Sequence, residues 1–193
     1  MLILASASPR RRELLAQAGY TFHVFPAHVP EHRHPNEPPI EYATRLAREK
    51  AEAVYRDKER DRGADSDPLI VLGADTIVVV ENESDNEVLG KPKDRADAAR
   101  MLRQLSNRTH QVITAIAVAT AQGLDFTAET TTVTMSEIPE AEIEAYVATG
   151  EPMDKAGAYA IQGRAARWIP RIEGCYSNVV GLPLAATARL LNM

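Results

Sequence analysis

The chain has a single cysteine, Cys175, among its 193 residues, so no disulfide can form within it. A lone thiol is typical of proteins in reducing compartments, and we expect a cytoplasmic protein. The sequence also lacks any apolar run close to the length of about 20 residues that spans a bilayer. The first apolar stretch is too short for a signal peptide, and basic residues follow it instead of preceding it. We therefore expect no membrane partner.

Motifs of several common enzyme and binding classes are missing as well. There is no Gly-x4-Gly-Lys-Ser/Thr loop, no Gly-x-Gly-x-x-Gly fingerprint and no Gly-x-Ser-x-Gly elbow. His28, His32 and His34 lack the cysteine spacings of a zinc site, and we interpret them as mostly solvated. The formal net charge of −5 does not favour nucleic-acid binding, so basic groups that hold an anion must be clustered locally.

The pattern of hydrophobic residues predicts an α/β fold in one domain, or in one domain with two lobes. Hydrophobic residues make up 45% of the chain, which is enough for a sizeable core. Predicted strands cover residues 2–5, 20–25, 69–72, 76–80, 112–120, 124–135, 167–172 and 178–180. Predicted helices cover residues 9–18, 40–61, 95–105, 139–148 and 183–191. We expect a polar loop at residues 28–39 and a hairpin tip at residues 81–87.

The turn before the first helix combines serines with three consecutive arginines. Ser8 suits the N-cap, Pro9 suits the first helical position, and Gly19 can end the helix. Free N–H groups and the dipole let a helix N-terminus bind anions, whereas the same dipole disfavours cations there. Arginines in the first turn therefore indicate an anionic ligand such as phosphate, and a solvated basic turn is the alternative. They are Arg10, Arg11 and Arg12.

One lysine interrupts the apolar face of the predicted long helix. At about 100° per residue, Lys50 falls near the middle of the face formed by Ile40, Ala43, Ala47 and Val54. A lysine in that place must snorkel to water, pair with a carboxylate or reach a pocket. The helical pattern leaves these three alternatives open.

One aspartate interrupts an apolar run that is typical of buried strands. Asp75 lies within residues 69–80, where an ionised carboxylate needs hydrogen bonds, a charge partner or a metal. Regular strand alternation sends Asp75 and Thr76 to opposite faces, although Gly73 can mark a bulge. We favour a base or metal ligand over an aspartate that only bonds backbone amides, because strand ends carry such groups in α/β enzymes.

Three further residues are weaker candidates. Lys91 lies between Gly90 and Pro92, in a turn that suits a lysine aimed at phosphate but is also an ordinary turn. Gln162, in a small and glycine-rich segment, can read a base edge through its amide or satisfy a loop backbone. Glu31, in the polar loop, is a candidate ligand of a divalent cation.

Several segments in order resemble the Maf family of nucleoside triphosphate pyrophosphatases, also known as septum formation inhibitor proteins. The resemblance runs nearly end to end and rests on the joint occurrence of motifs that are weak singly. The segments are LASASPRRRELL at 4–15, RLAREKA at 45–51, GADTIV at 73–78, GKP at 90–92, DKAGAY at 154–159, IQG at 161–163 and VVGLP at 179–183. It implies a single domain, residues 1–193, with a two-lobed mixed sheet flanked by helices around a central cleft, similar to the inosine-triphosphatase-like fold.

The resemblance also implies an activity. Family members cleave a nucleoside triphosphate to the monophosphate and pyrophosphate with a divalent cation, Mg²⁺ or Mn²⁺. The aspartate that matches Asp75 is the family's proton acceptor, and Asp75 or Glu31 would supply a carboxylate to the cation. The other site residues that it implies are Ser8, Arg11, Arg12, Lys50, Lys91 and Gln162. Arg11, Arg12, Lys50 and Lys91 carry the positive charge that a triphosphate needs.

The resemblance also predicts the preferred substrate, from the residues at three positions. Arg10, Thr76 and Gln162 match the dTTP/UTP subfamily, whereas the 7-methyl-GTP subfamily tends to carry Trp, Gln and Glu there. The alternatives are a 7-methyl-GTP pyrophosphatase and a non-catalytic nucleotide-binding regulator of cell division. Because family members are often dimers, a homodimer is expected too.

The chain departs from the family pattern in three places. The hairpin tip at residues 81–87 is longer than usual. Asn107 replaces a frequent glycine, and asparagine tolerates the same left-handed conformation. Arg164 and Arg167, in the segment 164–168, are unusual after the Gln-Gly pair and could alter base preference.

Overall fold

The computed structural model describes residues 1–60, 67–82 and 86–192. The chain divides into two compact units. The first comprises Met1–Asp75, Thr114–Glu129 and Gly181–Met193, as far as these ranges are described, and the second comprises Thr76–Ile113 and Thr130–Val180 with the same restriction. The predicted helix end at residue 61 and the centre of the predicted hairpin tip, residues 83–85, lie outside the described residues.

The described residues form seven strands and six α-helices. The strands are β1 (Leu2–Leu4), β2 (His23–Val24), β3 (Ile70–Glu81), β4 (Asn86–Leu89), β5 (Thr109–Thr120), β6 (Gly123–Thr134) and β7 (Arg171–Glu173). The helices are α1 (Pro9–Gln17), α2 (Pro39–Arg60), α3 (Arg95–Leu105), α4 (Glu140–Ala148), α5 (Tyr176–Val180) and α6 (Leu184–Leu191). Short 3₁₀ turns cover Glu151–Asp154, Ala156–Ala158 and Arg164–Trp168. None of the helices in these ranges is long and apolar enough to cross a membrane.

The strands form one mixed sheet in the order β2-β1-β3-β5-β6-β7, with β4 paired to β3. β1 is parallel to both β2 and β3, so that Leu4 lies opposite Val24 and Leu72. β4 is antiparallel to β3, and β7 is antiparallel to β6. A mixed sheet flanked by helices confirms the predicted fold class, whereas the central cleft stays a prediction.

Each unit has an apolar core. In the first unit, fully buried side chains come from β1, α1, α2 and β3, and include Leu4, Leu15, Leu46 and Leu72. The core of the second unit gathers residues of β3 to β6, α3, α4 and the 3₁₀ turns. Its most buried large side chains are Leu89, Leu102, Leu105, Met135, Ile143 and Tyr146.

The prediction of two strands around Gly73 is wrong, because β3 runs unbroken through it. A Cβ atom at Gly73 would lie 2.3 Å from the Ala47 carbonyl oxygen and 2.6 Å from the Ala51 nitrogen. Gly73 therefore marks the close approach of α2 to the strand, which a glycine in a strand can signal as well as a bulge.

The N-terminal helix begins at Pro9 as predicted and ends one residue before the predicted end, but Ser8 does not cap it through its side chain. Ser8 occupies the N-cap position and makes no side-chain capping bond; its N–H donates to Ser6 Oγ at 3.2 Å. Gly19 follows α1 with φ +84°, a left-handed conformation that glycine adopts without strain. The strand predicted at residues 20–25 is only two residues long.

Three further predictions are corrected. Ile40, assigned to the buried face of α2, is 46% exposed because it lies in the first turn of the helix. The strand predicted at residues 167–172 is a 3₁₀ turn followed by β7. The strand predicted at residues 178–180 belongs to α5, since the buried Asn178 donates to the Val112 carbonyl and to Thr131 Oγ1 from a helical turn.

Candidate active site

Lys50 and Asp75 meet inside the first unit. α2 carries Lys50 on its buried face, and β3 carries Asp75 two residues beyond Gly73. Lys50 Nζ lies 2.7 Å from Asp75 Oδ1, and the two side chains are 10% and 9% exposed. Of the three alternatives for Lys50, pairing with a carboxylate is therefore the correct one. Such a pair compensates part of the desolvation that each buried charge suffers.

A second carboxylate reaches the same lysine. Glu31 Oε1 lies 2.6 Å from Lys50 Nζ, and its side chain is 50% exposed. One ammonium group thus contacts a buried aspartate and a half-exposed glutamate. Burial raises the pKa of Tyr42, and the negative charges of Asp75 and Glu31 add to this shift.

Arg11 supports the strand that carries Asp75. Its Nη1 donates to the Ala74 carbonyl at 3.0 Å and to Ser6 Oγ at 3.1 Å, and its Nε donates to the Gly181 carbonyl at 2.8 Å. Burial lowers the pKa of Arg11, and the negative charge of Asp75 opposes that shift. The Arg11 guanidinium therefore links α1 with β3 at the residue before Asp75.

The other predicted residues of the N-terminal turn lie nearer to solvent. Ser8 and Arg10 are half-buried and Arg12 is exposed. The Arg12 backbone N–H donates to the Ser8 carbonyl at 3.3 Å, which is the first turn of α1. The predicted basic helix start is therefore present in the same unit as Lys50, Asp75 and Glu31.

Thr76, Lys91 and Gln162 belong to the second unit. Thr76 is half-buried, and Lys91 and Gln162 are exposed. The turn that bears Lys91 is fixed by Gly90, whose carbonyl accepts from the Gly157 N–H at 3.1 Å. The small, glycine-rich segment around Gln162 therefore leaves this side chain exposed to solvent.

The loop that bears Gln162 is held by a carboxylate. Glu151 Oε1 accepts from Tyr146 Oη at 2.9 Å and from the Arg164 backbone N–H at 3.2 Å. A Cβ atom at Gly163 would lie 1.9 Å from that same oxygen, so only glycine leaves the carboxylate in place. The negative charge of Glu151 also contributes, after burial, to raising the pKa of Tyr146.

The Glu31 and Asp75 carboxylates suit a divalent cation whose other ligands come from phosphate groups and water. Within the described ranges, no three His, Cys, Asp or Glu side chains are placed to form a dedicated metal site. Mg²⁺ usually needs only one or two carboxylates when phosphates and water complete its shell. Glu31 and Asp75, which both contact Lys50 Nζ, are two carboxylates of the kind that such a cation needs.

Sequence reasoning missed four residues around this centre: Ser6, Glu37, Tyr42 and Arg45. Ser6 and Tyr42 are buried, and Tyr42 Oη donates to the Glu31 carbonyl at 3.1 Å. Arg45 lies on the same helix as Lys50 and binds Glu37 at 2.7 Å. A loop residue paired with a helix residue follows no periodic spacing, so the sequence offered no signal for it.

Comparisons with known proteins show which family this chain belongs to. The family model described as Maf-like protein matches residues 1–193. A "dTTP/UTP pyrophosphatase" of Koribacter versatilis is 53% identical over 190 residues, covering 98% of this chain and 92% of the relative. Proteins of the same name from Geobacter sulfurreducens and Escherichia coli O157:H7 are 52% and 48% identical, covering 95% and 99% of this chain and 91% of each relative. The chain belongs to the family of Maf-like proteins.

Proposed function

We propose that this chain hydrolyses nucleoside triphosphates, with dTTP and UTP as its preferred substrates, to the monophosphate and pyrophosphate. The relatives named dTTP/UTP pyrophosphatase support the reaction. The observation that carries the proposal is the buried Lys50 ammonium with Asp75 at 2.7 Å and Glu31 at 2.6 Å. A protein that only binds nucleotides has no need of such a centre, because burying charged groups opposes folding.

Asp75 is the proton acceptor in this proposal. A water oxygen forms a bond to the α-phosphorus while its proton passes to the Asp75 carboxylate. The bond between the α-phosphorus and the oxygen that bridges to the β-phosphate breaks, and pyrophosphate leaves with the bonding electrons. Lys50 orients the carboxylate, since its ammonium contacts Oδ1 directly. Positioned bases of this kind contribute about 10²- to 10⁴-fold to rate.

Basic groups and a cation balance the charge of the triphosphate. Ser8 and the start of α1, together with Arg10, Arg11 and Arg12, form one basic element, and Lys91 is a further cation. Glu31 and Asp75 would hold Mg²⁺ or Mn²⁺, which supplies charge neutralisation at the phosphate oxygens when bound.

Base preference rests on three residues. Arg10, Thr76 and Gln162 carry the combination that resembles the dTTP/UTP subfamily, and an amide such as Gln162 can both donate to and accept from a pyrimidine edge. We propose that these side chains read the base. We also propose that the protein is cytoplasmic and forms a homodimer. Light scattering of the purified protein tests whether it is a dimer.

The experiment is pyrophosphate release from dTTP, UTP, CTP, GTP and 7-methyl-GTP with Mg²⁺ or Mn²⁺, in water enriched in ¹⁸O. We expect release from dTTP and UTP, with ¹⁸O in the monophosphate because water attacks the α-phosphorus. Label in pyrophosphate would overturn the point of attack. Selective cleavage of 7-methyl-GTP would overturn the base preference, and binding without any release would favour a nucleotide-binding regulator.

A further inference from the structure

The loop that carries Glu31 has no regular structure of its own to hold this side chain. No helix or strand covers the residues between β2 and α2, and the Glu31 side chain is half-exposed. Ordering such a segment costs about 1–2 kcal/mol per residue in backbone entropy. The contact of 2.6 Å between Glu31 Oε1 and Lys50 Nζ therefore needs ties elsewhere in the loop.

Two hydrogen bonds from α2 hold the consecutive carbonyl groups of Glu31 and His32. Tyr42 Oη donates to the Glu31 carbonyl at 3.1 Å, and Arg45 Nη2 donates to the His32 carbonyl at 2.8 Å. Both donors lie on α2, less than one turn apart, and the Arg45 guanidinium lies 5.5 Å from the centre of the Tyr42 ring. The helix that carries Lys50 thus also holds the backbone at Glu31 by hydrogen bonds.

A third set of hydrogen bonds joins Arg45 to Glu37, near the end of the loop. Arg45 Nε and Nη2 donate to the two carboxylate oxygens of Glu37 at 2.7 and 2.9 Å. The His34 N–H donates to Glu37 Oε2 at 2.9 Å, and Arg33 Nε donates to the Glu37 carbonyl at 2.8 Å. The Glu37 side chain is 9% exposed, so this planar, two-bond pairing is shielded from water and geometrically defined.

We infer that Arg45 is a positioning residue that holds the Glu31 carboxylate at Lys50 through the Glu37 side chain and the His32 carbonyl. The inference rests on the proposed function, in which Glu31 belongs to the catalytic centre. Arg45 itself contacts the loop and the neighbouring Glu49, at 3.1 Å, and has no contact with the reacting atoms in the proposal. Its effect on catalysis must therefore pass through Glu31.

A cycle of substitutions separates this role from a general effect on stability. Arg45→Met removes the paired hydrogen bonds and keeps the apolar stem. Arg56→Met, on the same helix, is the matched control, since Arg56 is exposed and its Nε donates only within the helix, to Glu52. Both changes are made in the natural sequence and together with Glu31→Gln, and kcat and KM for dTTP are measured.

We expect Arg45→Met to lower kcat/KM about 10- to 100-fold in the natural sequence. Loss of the hydrogen bonds that orient an active-site group typically has an effect of this size. In the Glu31→Gln background the same change should lower it less than about two-fold, because the group that Arg45 positions is already lost. Arg45→Lys should fail to restore activity, because lysine cannot form the two-bond pair with a carboxylate. Equal losses in both backgrounds would overturn the inference.

Hydrogen exchange of the loop amides, without nucleotide, supplies a readout that is independent of activity. Arg45→Met, and Glu37→Gln as a second variant that keeps side-chain size, should speed exchange at residues 31–37, while Arg56→Met should not. Unchanged exchange in both loop variants would contradict the inference. If the natural protein releases no pyrophosphate from any nucleotide, the proposed function fails, and the exchange data still decide whether Arg45 holds this loop.

Discussion

The Lys50 ammonium lies 2.7 Å from the Asp75 carboxylate, and both side chains are nearly buried. α2 and β3 supply one partner each, and their separation is set by backbone contact at Gly73. Short side chains at Ala47 and Ala51 permit this approach. The pair is therefore a product of close helix–strand packing, and its geometry does not depend on the mobile ends of long surface side chains.

Replacing the carboxylate tests the assignment of the base. Asp75→Asn keeps the shape of the side chain and removes its capacity to accept a proton, so we expect turnover to fall about 10²- to 10⁴-fold. Binding of dTTP should persist, as measured by calorimetry. Thermal melting serves as the folding control, because Lys50 keeps Glu31 as a partner. Near-normal turnover would rule out Asp75 as the base.

The contribution of Lys91 can be measured against a nearby lysine. Lys91→Ala should lower kcat/KM for dTTP about 10- to 100-fold, since a hydrogen bond to a charged group contributes about 1.5–3 kcal/mol. Lys93→Ala is the control, because Lys93 is also exposed and only two residues away. Equal kinetics for the two variants would remove Lys91 from the site.

Three changes made together should shift base preference. Gln162→Glu adds a carboxylate that attracts the positively charged 7-methylguanine base, and Arg10→Trp adds a ring that can stack on it. With Thr76→Gln, the ratio of kcat/KM for dTTP over 7-methyl-GTP should fall about ten-fold or more. An unchanged ratio, in a variant that still cleaves dTTP, would show that these residues do not read the base.

Crowding at Gly163 should alter the loop of Gln162. Gly163→Ala places a methyl group where Glu151 Oε1 now lies, so the carboxylate must leave Tyr146 and the Arg164 N–H. Losing two such hydrogen bonds costs about 1–3 kcal/mol of unfolding free energy. Urea unfolding measures this loss, and in a Glu151→Ala background the same substitution should be nearly neutral. A similar loss in both backgrounds would contradict the steric explanation.

A buried histidine should make stability depend on pH. His110 is 2% exposed, its Nε2 lies 2.7 Å from Tyr159 Oη, and burial lowers its pKa from 6.5 to about 4. The unfolded chain therefore binds the proton first, and stability falls as pH drops from about 6.5 to 4, by roughly 3 kcal/mol in total.

Urea unfolding between pH 7.5 and 4.5 checks this dependence. His110→Phe keeps an aromatic ring beside Tyr159, whose centroid lies 5.4 Å from that of His110, and removes the titrating group. The difference in unfolding free energy between the two proteins should change with pH. Protonation of Glu37 affects stability only below about pH 4.5, outside the range of this measurement, because the Arg45 hydrogen bonds lower its pKa from 4.5 to about 2. A constant difference would show that His110 does not titrate as proposed.

The sequence predicted elements best where local signals agreed with packing. α3 occupies the predicted residues, because Asp94 caps it by accepting from the Asp97 N–H and apolar residues follow at helical spacing. Asn107 has the predicted left-handed conformation, with φ +54°. α5 was missed because its β-branched residues favour a strand locally, and the buried hydrogen bonds of Asn178 override that preference.

Lys50 and Asp75 could be singled out from the sequence, but the contact between them could not. A lysine on an apolar helix face and an aspartate in an apolar strand are both visible anomalies in a sequence. Their contact depends on how α2 crosses β3, which no periodicity encodes. Glu31 was expected to bind a cation, and its contact with Lys50 is set by loop hydrogen bonds that join positions without regular spacing.

Gly73 has a consequence for reading mutational screens. Any side chain there would meet the backbone of α2 and displace the helix that carries Lys50. A saturation screen scored by growth or turnover would therefore rank position 73 beside position 75, although Gly73 has no side chain to take part in chemistry. Only a parallel measurement of protein abundance would separate the two, and without it a packing constraint would be counted as a catalytic residue.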